Sequence, residues 1–129
     1  EPEELVTGVS APIPAAGTGW SYQKFLPRSE DDYAAVSVAV LMSLSSTGEV
    51  DGVRIALGSV GPTPILALPA MQALTGNKPD ADAIDAAAET VADIIDPLDD
   101  VRGGADYKRA MAIVFTRRAL NEATARARG

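Results

Sequence analysis

The chain has 129 residues, 47% of them apolar, a length that suits one domain with one hydrophobic core. Its net charge of −7 argues against nucleic acid as a partner, because a phosphate backbone is bound by clustered cations. The sequence contains neither Cys nor His, which excludes disulfides, Fe–S ligands, histidine zinc sites and the Ser-His-Asp and Cys-His triads. No apolar run is long enough to span a bilayer and no secretory signal pattern is present, so we expect a cytoplasmic protein.

The N-terminal quarter of the chain combines a connector with one short strand. Residues 1–19 predict an extended connector, because prolines and glycines interrupt any regular element there. The aromatic residues within 20–25 predict a short strand. Ser29 and the three acidic residues after it predict the start of a short helix, since serine caps free N–H groups and acidic side chains suit the positive end of the helix dipole.

Two alternating apolar runs predict an antiparallel hairpin. In the first run, Val36, Val38, Val40 and Met42 alternate with Ser37, Ala39 and Leu41. In the second run, Val53, Ile55 and Leu57 alternate with Arg54 and Ala56. A period of two with β-branched residues is typical of a strand that buries one face. Residues 46–49 (STGE) between the runs have the composition of a turn, and two such runs joined by a short turn indicate a hairpin.

Three helices are predicted after the hairpin. Pro69 suits the first turn of a short helix that ends at Gly76. Asp80 can cap a second helix, whose apolar residues recur at helical spacing as far as Pro97. A third runs from about Asp106 to near the C-terminus. Strands followed by helices indicate an α+β fold, with a small antiparallel sheet of about three strands packed against a three-helix layer.

Several separated segments carry a family resemblance. They are residues 1–6 (EPEELV), the Tyr-x-Lys…Arg…Asp pattern within 22–33, and residues 36–40, 53–64, 106–109 and 117–120. In order and spacing they resemble the C-terminal domain of the FAD-binding medium subunit of carbon monoxide dehydrogenase and xanthine dehydrogenase-type molybdenum hydroxylases. The resemblance implies that residues 20–129 form this domain and that residues 1–19 connect it to a missing FAD-binding domain.

The resemblance implies a setting for electron transfer. In this family electrons pass from molybdopterin through [2Fe–2S] clusters to FAD and then to an external acceptor. The implied partners are a molybdopterin-binding large subunit, a [2Fe–2S] small subunit and the preceding FAD-binding domain, whose glycine-rich loops hold the FAD phosphates. Gly58 to Gly61 and Gly103-Gly104 lack the spacing of a phosphate cradle. We therefore expect an incomplete FAD site, weak or no FAD binding by this chain alone, and an oxidoreductase component rather than a complete enzyme.

Three residues are predicted to contact the cofactor through this resemblance. Lys24 matches a family lysine near the flavin ring, where a cation stabilises negative charge on the reduced ring and raises its potential. The alternative for Lys24 is a solvated lysine that protects an edge strand from aggregation. Arg28 and Asp31 match a segment that passes the flavin edge. The alternative there is a capped helical turn with an exposed ion pair, which contributes only about 0–1 kcal/mol. No catalytic or metal-binding residue is assigned.

Other aromatic and basic residues allow two interpretations. Trp20 and Tyr22 either stack near a flavin or at a subunit contact, or they cover the edge of a small core. Arg117 and Arg118 pair with acidic groups either on a partner subunit or within the helices. Tyr107, Met111 and Phe115 recur at helical spacing and are predicted to be core residues.

A different class of function is a stand-alone interaction module that acts by docking. The lack of His and Cys together with a self-contained α+β pattern favours it. The sequence upstream of Glu1 distinguishes the two hypotheses, because a glycine-rich FAD-binding domain there indicates a flavin subunit.

Overall fold

Four antiparallel strands form one sheet in a computed structural model that describes residues 3–26 and 33–129. In the order of the chain and of the sheet they are β1 (Gly19–Phe25), β2 (Val36–Leu44), β3 (Val50–Gly58) and β4 (Ile65–Leu66). The predicted hairpin is confirmed as β2 and β3. The sequence did not predict β4, because two residues are too few to show an alternating pattern. The helix start predicted at Ser29 lies outside the described residues.

Three helices follow the sheet. They are α1 (Leu68–Leu74), α2 (Ala81–Glu89), which continues into a 3-10 turn (Thr90–Asp93), and α3 (Ala105–Ala127). Asp80 caps α2 as predicted, because its Oδ1 accepts a hydrogen bond from Ala83 N at 2.9 Å. Helix α3 packs across β1 and β2, α1 packs beside β3, and α2 contacts both other helices. The α+β class with a sheet packed on a helical layer is confirmed.

One hydrophobic core lies between the sheet and α3. The inward residues of β2 and β3 are the predicted ones: Val36, Val38, Val40, Met42, Val53, Ile55 and Leu57. The facing stripe of α3 contains Ala112, Ala119 and Ala123, whose small side chains let the helix lie close to the sheet. At Gly19 a Cβ atom would collide with the backbone of Ala123. Glycine is therefore required where β1 passes under α3.

The prediction that Tyr107 is a core residue is wrong. Phe115 is buried and Met111 is partly buried, but Tyr107 is 46% exposed. Tyr107 stands in the first turn of α3, and its ring centroid lies 6.1 Å from that of Phe25, the last residue of β1. It therefore closes the end of the core with one side of its ring, while the other side faces solvent.

Residues 3–18 of the predicted connector contain no helix or strand, whereas its last residue, Gly19, is already the first residue of β1. Residues 3–17 are all exposed, including the apolar side chains of Leu5, Val6, Val9 and Ile13. Proline at positions 12 and 14 supplies no backbone N–H for a sheet ladder. The connector thus adds nothing to the core of the domain.

Candidate functional site

The outer face of the sheet, which faces away from α3, carries the candidate site. Along β1, Ser21 is buried, while its neighbours Trp20 and Tyr22 are 55% and 59% exposed. Lys24 continues the exposed row. Alternation of side chains along a strand places Trp20, Tyr22 and Lys24 on one face, next to each other. Both rings lie outside the core, which argues against the interpretation that they cover its edge, and their stacking on a flavin or at a subunit contact stays a prediction.

A floor of small residues extends from this row across β2 and β3. Ser37 pairs with Lys24 on one side and with Gly58 on the other, while Ala39 pairs with Tyr22 and with Ala56. A Cβ atom at Gly58 would lie 2.5 Å from Ser37 Oγ. A side chain at this position would have to displace the Ser37 hydroxyl, and its absence keeps the floor shallow. We use the name outer face for the set Trp20, Tyr22, Lys24, Ser37, Ala39, Ala56 and Gly58.

The structure describes one of the three predicted cofactor contacts, Lys24. Lys24 lies at one end of the outer face, exposed, and within residues 3–26 and 33–129 it has no ion-pair partner. Arg28 and Asp31 lie outside the described residues, so their roles stay predictions.

Two side chains of α3 hold β1 from behind the outer face. Glu122 accepts hydrogen bonds from Ser21 Oγ and Gln23 Nε2, each at 2.6 Å. Arg126 pairs with Glu122 at 2.6 Å and donates to the carbonyl of Trp20 at 2.7 Å. The hydrogen bond from Ser21 lowers the pKa of Glu122 from its ordinary value, and Gln23 and the charge of Arg126 act in the same direction.

A groove of about 490 Å³ continues the outer face beyond Trp20. Leu41 and Arg54 form part of its wall, and they extend the row of Trp20 across the sheet. Pro12 and Ile13 of the connector and Met71 of α1 complete it. The sequence did not predict this groove. Leu41 was the available signal, because it is a large apolar residue on the polar side of an alternating strand.

Lys108 lines a second cavity, of about 330 Å³. This lysine is 3% exposed, and its Nζ donates to the carbonyl of Leu98 at 2.7 Å and pairs with Asp100 at 2.8 Å. The hydrogen bond from Lys108 lowers the pKa of Asp100. Lys108 thus fastens the loop before α3. Its burial was missed, although the spacing of Lys108 from Ala112 and Phe115 places it on the buried stripe of the helix.

The structure bears on whether Arg117 and Arg118 of α3 pair with acidic groups on a partner subunit or within the helices. Arg117 pairs with Asp85 and Glu89 of α2, so its charge is satisfied within the helical layer. Arg118 is exposed and lies over the ring of Phe115, with the guanidinium carbon 5.0 Å from the ring centroid. The structure therefore supports the interpretation within the helices for Arg117.

The described ranges, with their gap at 27–32, offer no group of three or more His, Cys, Asp or Glu residues that could hold a metal ion. Within the same ranges, no helix is both long and apolar enough to cross a membrane. The outer face and the groove beside it therefore remain as the candidate site.

Comparison with known proteins identifies the domain. Residues 20–123 match the family described as the CO dehydrogenase flavoprotein C-terminal domain. The chain belongs to this family. The medium chain of carbon monoxide dehydrogenase from Hydrogenophaga pseudoflava is 40% identical to it over 126 residues, which are 98% of this chain and 43% of that protein. The resemblance found in the sequence is confirmed.

Solved structures agree with this flavoprotein family. Carbon monoxide dehydrogenase from Hydrogenophaga pseudoflava superposes with a TM-score of 0.85 at 47% identity, over 89% of this chain and 39% of that chain. Quinoline 2-oxidoreductase from Pseudomonas putida 86 superposes with a TM-score of 0.82 at 31% identity, over 90% and 39%. The flavoprotein domain thus spans about two fifths of the length of the relatives that it matches.

Proposed function

We propose that this domain forms one wall of the FAD site in the medium subunit of a molybdenum hydroxylase, with its outer face against the flavin ring. The observation that carries the proposal is the exposed row of Trp20, Tyr22 and Lys24 beside a shallow floor of small residues. A planar ring system needs a flat surface to stack on, and an aromatic side chain supplies it.

Two residues of this row suit different parts of a flavin. Tyr22 offers a ring face at the centre of the outer face, and Lys24 offers a cation at its end. A cation beside the flavin stabilises negative charge on the ring and raises its reduction potential. When bound, FAD accepts electrons and passes them to an external acceptor. We propose Arg28 and Asp31 as further contacts at the flavin edge.

The FAD phosphates fit poorly on this domain. The positive end of α2 is capped by Asp80, and the side chain of Asp99 accepts a hydrogen bond from Ala105 N at the start of α3. At the N-termini of α2 and α3, these carboxylates occupy donors that a phosphate would use, and they repel its charge. We therefore propose that the phosphates are held by a preceding FAD-binding domain, to which residues 1–19 connect.

The proposed partners are a molybdopterin-binding large subunit and a [2Fe–2S] small subunit. Support comes from the similarity to carbon monoxide dehydrogenase and quinoline 2-oxidoreductase. These relatives are named after different substrates, which fits a domain that contacts the flavin rather than the substrate. The proposal therefore names electron transfer, and no substrate, as the function of this domain.

The test uses the full-length medium subunit in its complex, with the variants Tyr22→Ala and Lys24→Met. Loss of a stacked ring is worth about 0.5–1.5 kcal/mol, so we expect Tyr22→Ala to weaken FAD binding about three- to tenfold. Lys24→Met should lower the flavin reduction potential. FAD affinity is measured by fluorescence titration and the potential by dye-coupled spectrophotometric titration.

The matched control is Lys78→Met, an exposed lysine in the segment between α1 and α2, which should change neither quantity. If Tyr22→Ala and Lys24→Met leave both quantities at the wild-type values, the proposed wall is elsewhere. A titration of the isolated chain with FAD should show weak or no binding. Tight stoichiometric binding would contradict the placement of the phosphate site outside this domain.

A further inference from the structure

The strand that presents the outer face is an edge strand. In the sheet order β1-β2-β3-β4, β1 pairs with β2, and among residues 3–26 and 33–129 no strand lies at its other edge. An edge strand with one partner is free to twist or shift more than a central strand. The position of Tyr22 and Lys24 therefore depends on what else holds β1.

Five residues, which we call the β1 clasp, hold this strand: Glu122, Arg126, Ser21, Gln23 and Trp20. One carboxylate oxygen of Glu122 receives both Ser21 and Gln23, and the other pairs with Arg126. Arg126 continues to the free edge, donates to the Trp20 carbonyl, and lies 4.1 Å from the centroid of the Trp20 ring. The clasp thus joins the inner side, the free edge and the outer side of β1.

Alternation along the strand couples the clasp to the outer face. Ser21 and Gln23 flank Tyr22 in sequence, and they point to the side of the sheet that faces α3. Fixing both of them to one carboxylate sets the rotation of the strand at Tyr22. The side chain of Tyr22 itself remains exposed and free to meet a ligand.

The composition of the clasp favours positioning over stabilisation. Glu122 and Arg126 are 35% and 39% exposed, and ion pairs with such exposure add little to stability because water screens them. The core beside them is already filled by aliphatic residues. A carboxylate that receives three directed donors instead defines a geometry, as supporting residues around binding sites do.

We propose that Glu122 and Arg126 are positioning residues for the FAD site: they fix β1 so that Tyr22 and Lys24 meet the flavin ring. The inference rests on the proposed function and names two residues, both distant in sequence from β1, that neither the family match nor the sequence assigns to the site.

The experiment measures FAD affinity and unfolding temperature for Glu122→Ala and Arg126→Ala in the full-length medium subunit in its complex. The matched control is Arg117→Ala, which removes an arginine of similar exposure from the same helix, together with its two ion pairs to α2 rather than to β1. A shift of β1 would cost at most the flavin contacts that Tyr22 and Lys24 make. We therefore expect each clasp variant to weaken FAD binding about three- to tenfold, as expected for Tyr22→Ala, and Arg117→Ala to weaken it by less than about twofold.

Two conservative variants keep the test decisive if an alanine variant fails to assemble. Glu122→Gln retains an acceptor for Ser21 but loses the charge that holds Arg126, so its affinity should lie between wild type and Glu122→Ala. Arg126→Lys retains the charge but loses the planar two-armed reach to Glu122 and the Trp20 carbonyl, so it should also weaken binding. Equal losses of FAD affinity in the clasp variants and in Arg117→Ala would overturn the inference.

The failure of this inference is distinguishable from failure of the proposed function. Tyr22→Ala and Lys24→Met are measured in the same series. If these two weaken FAD binding or lower the potential while Glu122→Ala and Arg126→Ala do not, the outer face is the flavin wall and the clasp is only structural. If none of the four changes a flavin property, the proposed function itself is wrong.

Discussion

The two faces of the sheet differ in what their residues contribute. On the inner face, Val38, Val40 and Ile55 are buried under α3. On the outer face, Ala39 and Ala56 are only partly covered. Each fully buried aliphatic side chain contributes about 1.5–3 kcal/mol to folding, whereas exposed small residues contribute little. The inward residues of these two strands therefore stabilise the fold. The outward residues contribute little to stability, so they can be selected for contact with a ligand.

The largest expected effect is on the inner face. Ile55→Ala removes buried aliphatic atoms and leaves a cavity, which should lower the free energy of unfolding by about 2–5 kcal/mol. Its neighbour Ala56 points outward, so Ala56→Val should change this free energy by no more than about 0.5 kcal/mol. Chemical denaturation of both variants measures the contrast.

The variants Ile55→Ala and Ala56→Val also distinguish an effect on folding stability from an effect on FAD binding. Ala56→Val raises the floor of the outer face and should weaken FAD binding in the full-length subunit, whereas folded Ile55→Ala should bind FAD normally. Equal destabilisation by both changes would show that the two faces do not divide these roles.

A second test concerns the contact between β1 and α3. A Cβ atom at Gly19 would meet backbone atoms of Ala123 and Ala127, which cannot move aside as a flexible side chain can. Gly19→Ala should therefore lower the free energy of unfolding by about 1–3 kcal/mol. Thermal or denaturant unfolding of the variant measures this loss.

Gly8→Ala is the control, because nothing lies within 4 Å of a Cβ atom there. It should leave stability unchanged or raise it slightly through the unfolded state. A Gly19→Ala protein as stable as the wild type would show that α3 does not press on β1 as described.

The smallest effect is the dependence of stability on pH. Glu122 and Asp100 both have a pKa lowered in the folded state, so the unfolded chain binds protons more readily at low pH. Their contribution is present above the ordinary carboxyl pKa and is lost as the pH falls below about 5 through the folded-state values. We expect the unfolding temperature to decrease as the pH is lowered, and to decrease less steeply in the Glu122→Gln variant. Identical slopes would show that the clasp makes no ionic contribution.

Local patterns predicted much of the fold. The hairpin, the Asp80 cap and the short helix with Pro69 in its first turn each depend on residues within one element, and all three are present. The strand at residues 65–66 was not predicted and the burial of Tyr107 was predicted wrongly, because both depend on neighbours from other elements. Pairing of β4 requires β3, and burial of Tyr107 requires cover that α3 alone does not supply.

The candidate site was predictable only in part. Alternation of side chains places Lys24 on the same face as Trp20 and Tyr22, and this follows from the sequence once β1 is predicted. The floor from Ser37 to Gly58 was not predictable, because it depends on the register between strands. The roles of Arg28 and Asp31 stay predictions.

The sequence by itself determined the α+β class, the buried face of the hairpin, the family resemblance and the lack of Cys and His chemistry. Only the tertiary structure decided that Glu122 and Arg126 hold β1, because Ser21 and Glu122 are 101 residues apart and no local period connects them. The physical reason is the range of the interactions. Backbone geometry fixes side-chain direction over a few residues, whereas contacts between elements form only when the whole chain has packed.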